Sequence, residues 1–157
     1  MAVAMRLRYY LEKNGIRYDT VEHLATASSS RSAQASHISG DHVAKAVLLC
    51  DKDGRYFVAV LPASRRLELG ELWRWLHQPV GLATEDEVAC LFDDCERGAL
   101  PALGGAYGVP VLVDDSLSHR PDIYIEGGDH RCLVHMRGED FDRLMAQEQH
   151  HRFARHA

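Results

Sequence analysis

The stretch His42-Val43-Ala44-Lys45-Ala46-Val47-Leu48-Leu49-Cys50, then Asp51-Lys52-Asp53-Gly54, then Tyr56-Phe57-Val58-Ala59-Val60-Leu61 decides the fold class. Two apolar, β-branched runs flank four residues with turn chemistry, which predicts a β-hairpin. Upstream, Met5, Leu7, Tyr10 and Leu11 recur at helical spacing within Ala2–Lys13, and Asn14-Gly15 supplies a stop. Ile16–Glu22 reads as a short strand. Ser28-Ser29-Ser30 offers an N-cap for a helix reaching about Ile38 and closed by Gly40.

Downstream, Leu69–Leu76 reads as a helix with Leu72, Trp73 and Leu76 on one side. Thr84-Glu85-Asp86-Glu87 matches a capping box that opens a helix toward Leu91. Gly98–Pro110 is too rich in Gly and Pro for a long regular element. Val109–Asp114, Asp122–Glu126 and Cys132–Met136 read as three strands. A helix over about Glu139–Gln149 puts Phe141, Leu144 and Met145 on one face, and the polar His150–Ala157 reads as a frayed tail. Strands that cluster rather than alternate with helices indicate an α+β class, a mixed and mostly antiparallel sheet with flanking helices. No GxGxxG follows a strand, which argues against a Rossmann fold.

The 157 residues fit one domain, 1–157, with a core from about 5 to 146. Hydrophobic residues at 46% and charged residues at 26% are globular values, and no repeat or linker divides the chain. Eighteen Lys+Arg against 23 Asp+Glu leave a net charge of −5, which argues against a generically basic nucleic-acid binder. It allows a grip confined to the end of an RNA, with Arg6, Arg8, Lys13 or Arg65-Arg66 as contacts or as ordinary solvated surface. The apolar run Ala44–Cys50 is too short to span a bilayer, and Met1–Arg6 lacks signal-peptide form, so the expectation is a soluble cytoplasmic protein without membrane association. Cys50, Cys90, Cys95 and Cys132 read as reduced structural thiols, with Cys50 and Cys132 buried.

Lys45 stands out within an otherwise apolar strand. Alternation gives it one face and Ala44 and Ala46 the other, so it reaches either solvent, as a snorkelling side chain, or an anion. Cys95-Glu96-Arg97-Gly98-Ala99-Leu100-Pro101-Ala102-Leu103-Gly104-Gly105 is a loop whose exposed N–H groups can hold an oxyanion, carboxylate or phosphate, or a plain surface connection. It is no P-loop, because GxxxxGK[ST] is missing. Gly127-Gly128-Asp129-His130-Arg131 is a tight connection in which Asp-His adjacency could orient an imidazole. In a strand His130 and Cys132 share a face that His135 does not, so no metal site is expected. No triad emerges: helix capping explains Ser28–Ser30, and His23 ends a strand as a cleft-lining or structural histidine. Glu85–Glu96 reads as a solvated acidic helix face.

Taken in order, these pieces resemble the YbaK/prolyl-tRNA-synthetase-associated domain family of standalone aminoacyl-tRNA deacylases and related editing insertions. The resemblance rests on Tyr18–His23, Thr26–Ser30, His42–Leu49, Val58–Ala63, Gly98–Gly104, Val111–Asp114 and Ile123–Gly128, and spans roughly residues 5–146. It implies a barrel-like sheet. It matches the family's strand lysine to Lys45 and the glycine of its pocket-lining GxxxP loop to Gly98. The fifth loop position here is Ala102, with Pro101 one place earlier, a departure that bears on substrate choice. His130 is the counterpart of a histidine that discriminates substrates in some relatives.

What the resemblance implies is hydrolysis of the ester joining a mischarged, small amino acid to the 3′ end of tRNA, with the proline tRNA first. The implied catalytic residues are Lys45 and Gly98, and the implied substrate contacts are His23, Ala99, Leu100, Pro101, Ala102 and His130. No cofactor or metal is implied. The implied partners are the acceptor end of aminoacyl-tRNA and an aminoacyl-tRNA synthetase that delivers it. Two other readings stay open: a noncatalytic ligand-binding or regulatory module on the same fold, and a hydrolase of another small aminoacyl ester.

Overall fold

The computed structural model describes residues 3–24 and 28–156. The helices are α1 (Met5–Lys13), α2 (Ser29–Ala35), α3 (Leu69–Leu76), α4 (Glu85–Leu91) and α5 (Gly138–Met145). The strands are β1 (Tyr18–Glu22), β2 (Val43–Asp51), β3 (Tyr56–Pro62), β4 (Arg65–Leu67), β5 (Val80–Leu82), β6 (Val111–Asp114), β7 (Asp122–Glu126), β8 (Cys132–Arg137), β9 (Gln149–His151) and β10 (Ala154–His156). Thr26, in the Ser/Thr-rich motif, lies outside the described residues, as do Met1, Ala2 and Ala157. Among the described residues, no helix is long and apolar enough to cross a membrane.

The hairpin forms as expected. The Asp51 carboxylate accepts the backbone N–H groups of Asp53 and Arg55, each at 2.9 Å, and so pins the turn between β2 and β3. The main sheet runs β1-β8-β7-β2-β3-β6-β9, with β5 also on β2. Its β1/β8, β8/β7, β2/β3 and β2/β5 ladders are antiparallel; β2/β7, β3/β6 and β6/β9 are parallel. The sheet is open, with β1 and β9 at its ends, which corrects the expected barrel-like closure.

Helices cover both faces, which is why β2 and β3 read as nearly continuous apolar runs. On one face Ala44, Leu48, Val58 and Val60 pack with Leu7 and Leu11 of α1, Phe92, Leu103 and Phe141. On the other, Leu49, Ala59 and Leu61 pack with Leu72 and Phe153, while Val43 and Leu133 pack with Ala33 of α2. Each fully buried leucine is worth roughly 1.5–3 kcal/mol relative to exposure.

Local signals hold at most helix ends. The Thr84 capping box closes in both directions with Glu87, Ser28 accepts from the Arg31 N–H, and Asn14-Gly15 ends α1 with Ile16 N–H bonded to the Leu11 carbonyl. Helix α2 stops earlier than Gly40, at a left-handed His37 with φ 58°, where the Ile38 N–H returns to the Ala33 carbonyl. On α3, Trp73 faces outward and donates to the Val80 carbonyl, and Trp75 joins the core instead. Cys50 is only half-buried and Cys132 is buried, and none of the four cysteines forms a disulfide among the described residues.

The C-terminal segment departs most from expectation. Helix α5 ends at Met145, and the supposed tail forms β9 and β10 around a buried Phe153. The anchor is Asp114, fully buried at the end of β6. Its carboxylate accepts the Phe153 N–H at 2.8 Å and the Ala154 N–H at 2.9 Å, and also takes the Ser116 hydroxyl. Asp114→Ala leaves those two buried N–H groups unpaired, and urea unfolding should show a loss of about 2–5 kcal/mol. Asp114→Asn, which keeps an acceptor oxygen, should lose less, and equal losses would contradict this account of the anchor.

Candidate active site

The other edge of β2 is shared by two strands that do not meet. Strand β7 pairs with Val43 and Ala44, and β5 pairs with Leu49–Asp51, while the Ala83 N–H reaches the Leu48 carbonyl. Between them, the Lys45–Val47 stretch has no ladder partner on this edge among the described residues. Antiparallel alternation turns the backbone groups of Lys45 and Val47 toward β3, so those of Ala46 point into the gap.

On one side of this gap lies a mainly apolar cavity of about 230 Å³, lined by Ala46, Val47, Leu82, Val88, Gly98 and Leu100. Gly98 is exposed at its mouth with φ +77°, a backbone conformation that a side chain at that position would oppose. All four residues after Gly98 are buried; of them Leu100 reaches the lining, while Ala102 packs in the core with Leu7 and Leu11 of α1. The position that departs from the GxxxP pattern therefore packs inside rather than facing the cavity.

Lys45 lies on the opposite face, with Leu49, Ala59 and Leu61. Its ammonium is half-buried and donates to the Arg65 carbonyl at 2.7 Å, rather than lying free on a solvated face. Burial, with a contribution from the Arg66 guanidinium, lowers its pKa. Among the described residues no carboxylate pairs with it. A half-buried cation with a neutral partner and cationic neighbours is suited to receive an anion. Lys45 and Gly98 thus stand on opposite sides of one strand, on either flank of its uncovered edge, and do not touch.

His130 does meet the Gly98 loop. Its backbone is left-handed, φ 57°, its ring is nearly buried, and its Nε2–H donates to the Arg97 carbonyl. A second tie runs from the Glu96 N–H to the Gly128 carbonyl at 2.7 Å. Gly128 has φ +116°, and a Cβ there would lie 2.9 Å from that of Ala4, so the loop packs too closely for another residue. His23 follows β1, its N–H bonded to the Arg131 carbonyl and its Nε2 buried. Glu126 comes into this group without having been singled out from sequence, where a glutamate ending a strand reads as surface. It is 1% exposed, with Oε2 3.5 Å from His130 Nδ1, and burial raises its pKa. His135 sits apart, its two nitrogens on Asp19 at 2.7 Å and Asp122 at 2.8 Å.

A larger cavity of about 770 Å³ opens between α1, β1 and the loops, but Asp93, Asp94, Glu96 and Asp129 line it. That charge repels a polyphosphate. Within the stretch expected to be a solvated acidic face, Asp94 instead caps α1 through the Arg6 N–H and takes the Tyr107 hydroxyl.

The sequence profile of the aminoacyl-tRNA editing domain matches residues 23–144. The chain belongs to this family. Among curated proteins none matches this chain in sequence. Of solved structures, a candidate trans-editing enzyme for prolyl tRNA synthetase is similar at 24% identity and TM-score 0.83, covering 99% of this chain and 98% of that one. A hypothetical protein is similar at 19% identity and TM-score 0.82, covering 96% and 99%. A candidate signal transduction protein from Marinobacter aquaeolei VT8 is similar at 23% identity and TM-score 0.77, over 95% of this chain but 30% of its own. These likenesses agree on the fold, an open mixed sheet covered by helices.

The loop at the cavity mouth makes a specific prediction. Gly98→Ala should destabilise the editing domain by about 1–2 kcal/mol in urea unfolding, the usual cost of a left-handed backbone with a side chain. Arg97→Ala keeps the carbonyl that His130 binds and should stay within about 0.5 kcal/mol. Equal stability of Gly98→Ala and the parent would contradict the loop geometry.

Proposed function

We propose that this chain is a trans-editing aminoacyl-tRNA deacylase that hydrolyses the ester of a small, mischarged amino acid on tRNA, with the proline tRNA as its first substrate. Membership of the editing family supports the class of reaction. The structural likeness to a candidate prolyl trans-editing enzyme supports the choice of tRNA and of a synthetase as the partner that delivers the substrate. One observation carries the reading: a half-buried ammonium, without a carboxylate partner among the described residues, and a small apolar cavity flank the same uncovered strand edge.

The substrate crosses that edge. Its amino-acid side chain enters the cavity beside Gly98 and Leu100, and the 3′-terminal phosphate and ribose lie toward Lys45. A cavity of about 230 Å³ is smaller than the usual drug-sized pocket of roughly 300–1,000 Å³ and admits a small residue. Selection by size is what editing requires, because a synthetase gains only about 1–3 kcal/mol per methylene against a smaller analogue.

The ester is already activated, so the protein's task is orientation and charge stabilisation. Water adds to the ester carbonyl carbon and gives a tetrahedral oxyanion. Collapse breaks the bond to the ribose oxygen, which takes the proton that the attacking water gave up, and the free amino acid leaves. The Ala46 N–H and the exposed backbone at Gly98 are the donors placed at this edge, and Lys45 holds the nucleotide by charge.

Incubation with tRNAs carrying alanine, serine, cysteine or threonine tests the reading directly. One amino acid should be released preferentially, and Lys45→Ala should lower kcat/KM by about 10²–10³ while circular dichroism and unfolding stay close to the parent. Release unaffected in Lys45→Ala would remove the lysine from the mechanism. No release from any tRNA would favour a noncatalytic module, and equal hydrolysis of a free aminoacyl ester would favour a general esterase.

A further inference from the structure

Glu126 ends β7, and the parallel register that pairs Tyr124 with Val43 and Ile125 with Ala44 brings it level with Lys45. Its carboxyl is sealed beneath α2. The groups that face it are the Ser32 hydroxyl from α2, His23 beyond β1, and His130 and Asp129 from the following loop. Such a carboxyl is expensive to bury without a structural role.

The His130 ring fixes the proton inventory. A carbonyl only accepts, so Nε2 must carry the hydrogen that bonds Arg97. A neutral His130 then presents a bare Nδ1 lone pair to Glu126 Oε2, 3.5 Å away. Two lone pairs facing each other in a buried site repel, so one proton belongs between them, carried by Nδ1 or by the carboxyl. The Arg97 guanidinium takes no part, because it turns outward to Glu85 at 2.6 Å.

We propose that Glu126 is a positioning residue: by sharing one proton with His130 it holds the imidazole on the Arg97 carbonyl and so latches the Gly98 loop over the cavity. The latch has two ties to the loop, His130 to Arg97 and Gly128 to Glu96. Loss of the shared proton to solvent leaves a buried carboxylate against a lone pair and loosens both. Burial favours the protonated carboxyl, so the latch is intact at low pH and weakens as pH rises through the raised Glu126 pKa. The consequence for substrate choice rests on the editing reading; the consequence for the loop does not.

Nuclear magnetic resonance of uniformly ¹⁵N-labelled protein tests this on the free chain. His130 should show the Nε2–H tautomer or the doubly protonated ring. After correction for intrinsic rates, exchange of the Glu96 and Ala99 amides should rise by about tenfold or more as pH is raised from the ordinary carboxylate range upward through the Glu126 titration. Glu126→Gln donates an amide N–H to Nδ1 without titrating, so protection should become flat across this range. Glu126→Ala should lose protection throughout. In deacylation, Glu126→Gln should remove the rise in KM with pH and leave kcat within a few-fold of the parent. The same pH response in Glu126→Gln as in the parent, or an Nδ1–H tautomer at His130, would overturn the latch. A latch that behaves as expected in a protein that releases no amino acid would instead overturn the editing reading alone.

Discussion

The pairing of β2 is the constraint on which the site depends. Strand β2 is laddered with β3 from Ala44 to Cys50, so it cannot shift or twist away. Its other edge is divided between β7 and β5. Complete pairing on that side would have left a sealed sheet without a cavity at this place. Because the two strands stop short of each other, Ala46 presents its backbone to a gap, Lys45 stands on one face and Gly98 closes the other. An aminoacyl end of RNA has the same two-part character, a charged nucleotide joined to a small side chain. In the proposed mode of binding, these two parts lie on either side of one strand.

Much of this frame is legible in the residues. Asp51 through Gly54 announces the hairpin, Thr84 and Glu87 announce the start of α4, and apolar runs on both faces of β2 and β3 announce a sheet covered twice. Each of those signals is local, so the nearest residues decide the outcome. The C-terminal strands are different. Gln149–His151 and Ala154–His156 are polar, and what orders them is the buried carboxylate of Asp114, 39 residues before Phe153, which accepts their backbone. No periodicity within the segment carries that information.

The site divides in the same way. Lys45 and Gly98 are visible in sequence because each is out of character with its surroundings, a lysine among valines and a glycine opening a loop. What the sequence alone does not show is their relative placement, and the alternation of β2 puts Lys45 on the face away from the cavity beside Gly98. Ala102 breaks the GxxxP pattern, yet it packs into the core, so the cavity wall is set by Gly98 and Leu100 instead. Glu126 carries no sequence signal, because only the arrival of α2 and the left-handed turn at His130 bury it.

The central claim is that one substrate engages both flanks of the β2 edge. The most direct measurement is the map of backbone and Lys45 side-chain resonances on titration with a non-hydrolysable 3′-alanylamido-adenosine 5′-phosphate. The account predicts that Ala46, Gly98 and Leu100 shift together with the Lys45 ammonium, at one common dissociation constant. Shifts confined to Met5, Asp94 and Asp129 in the acidic cavity, with Lys45 and Gly98 unmoved, would contradict it.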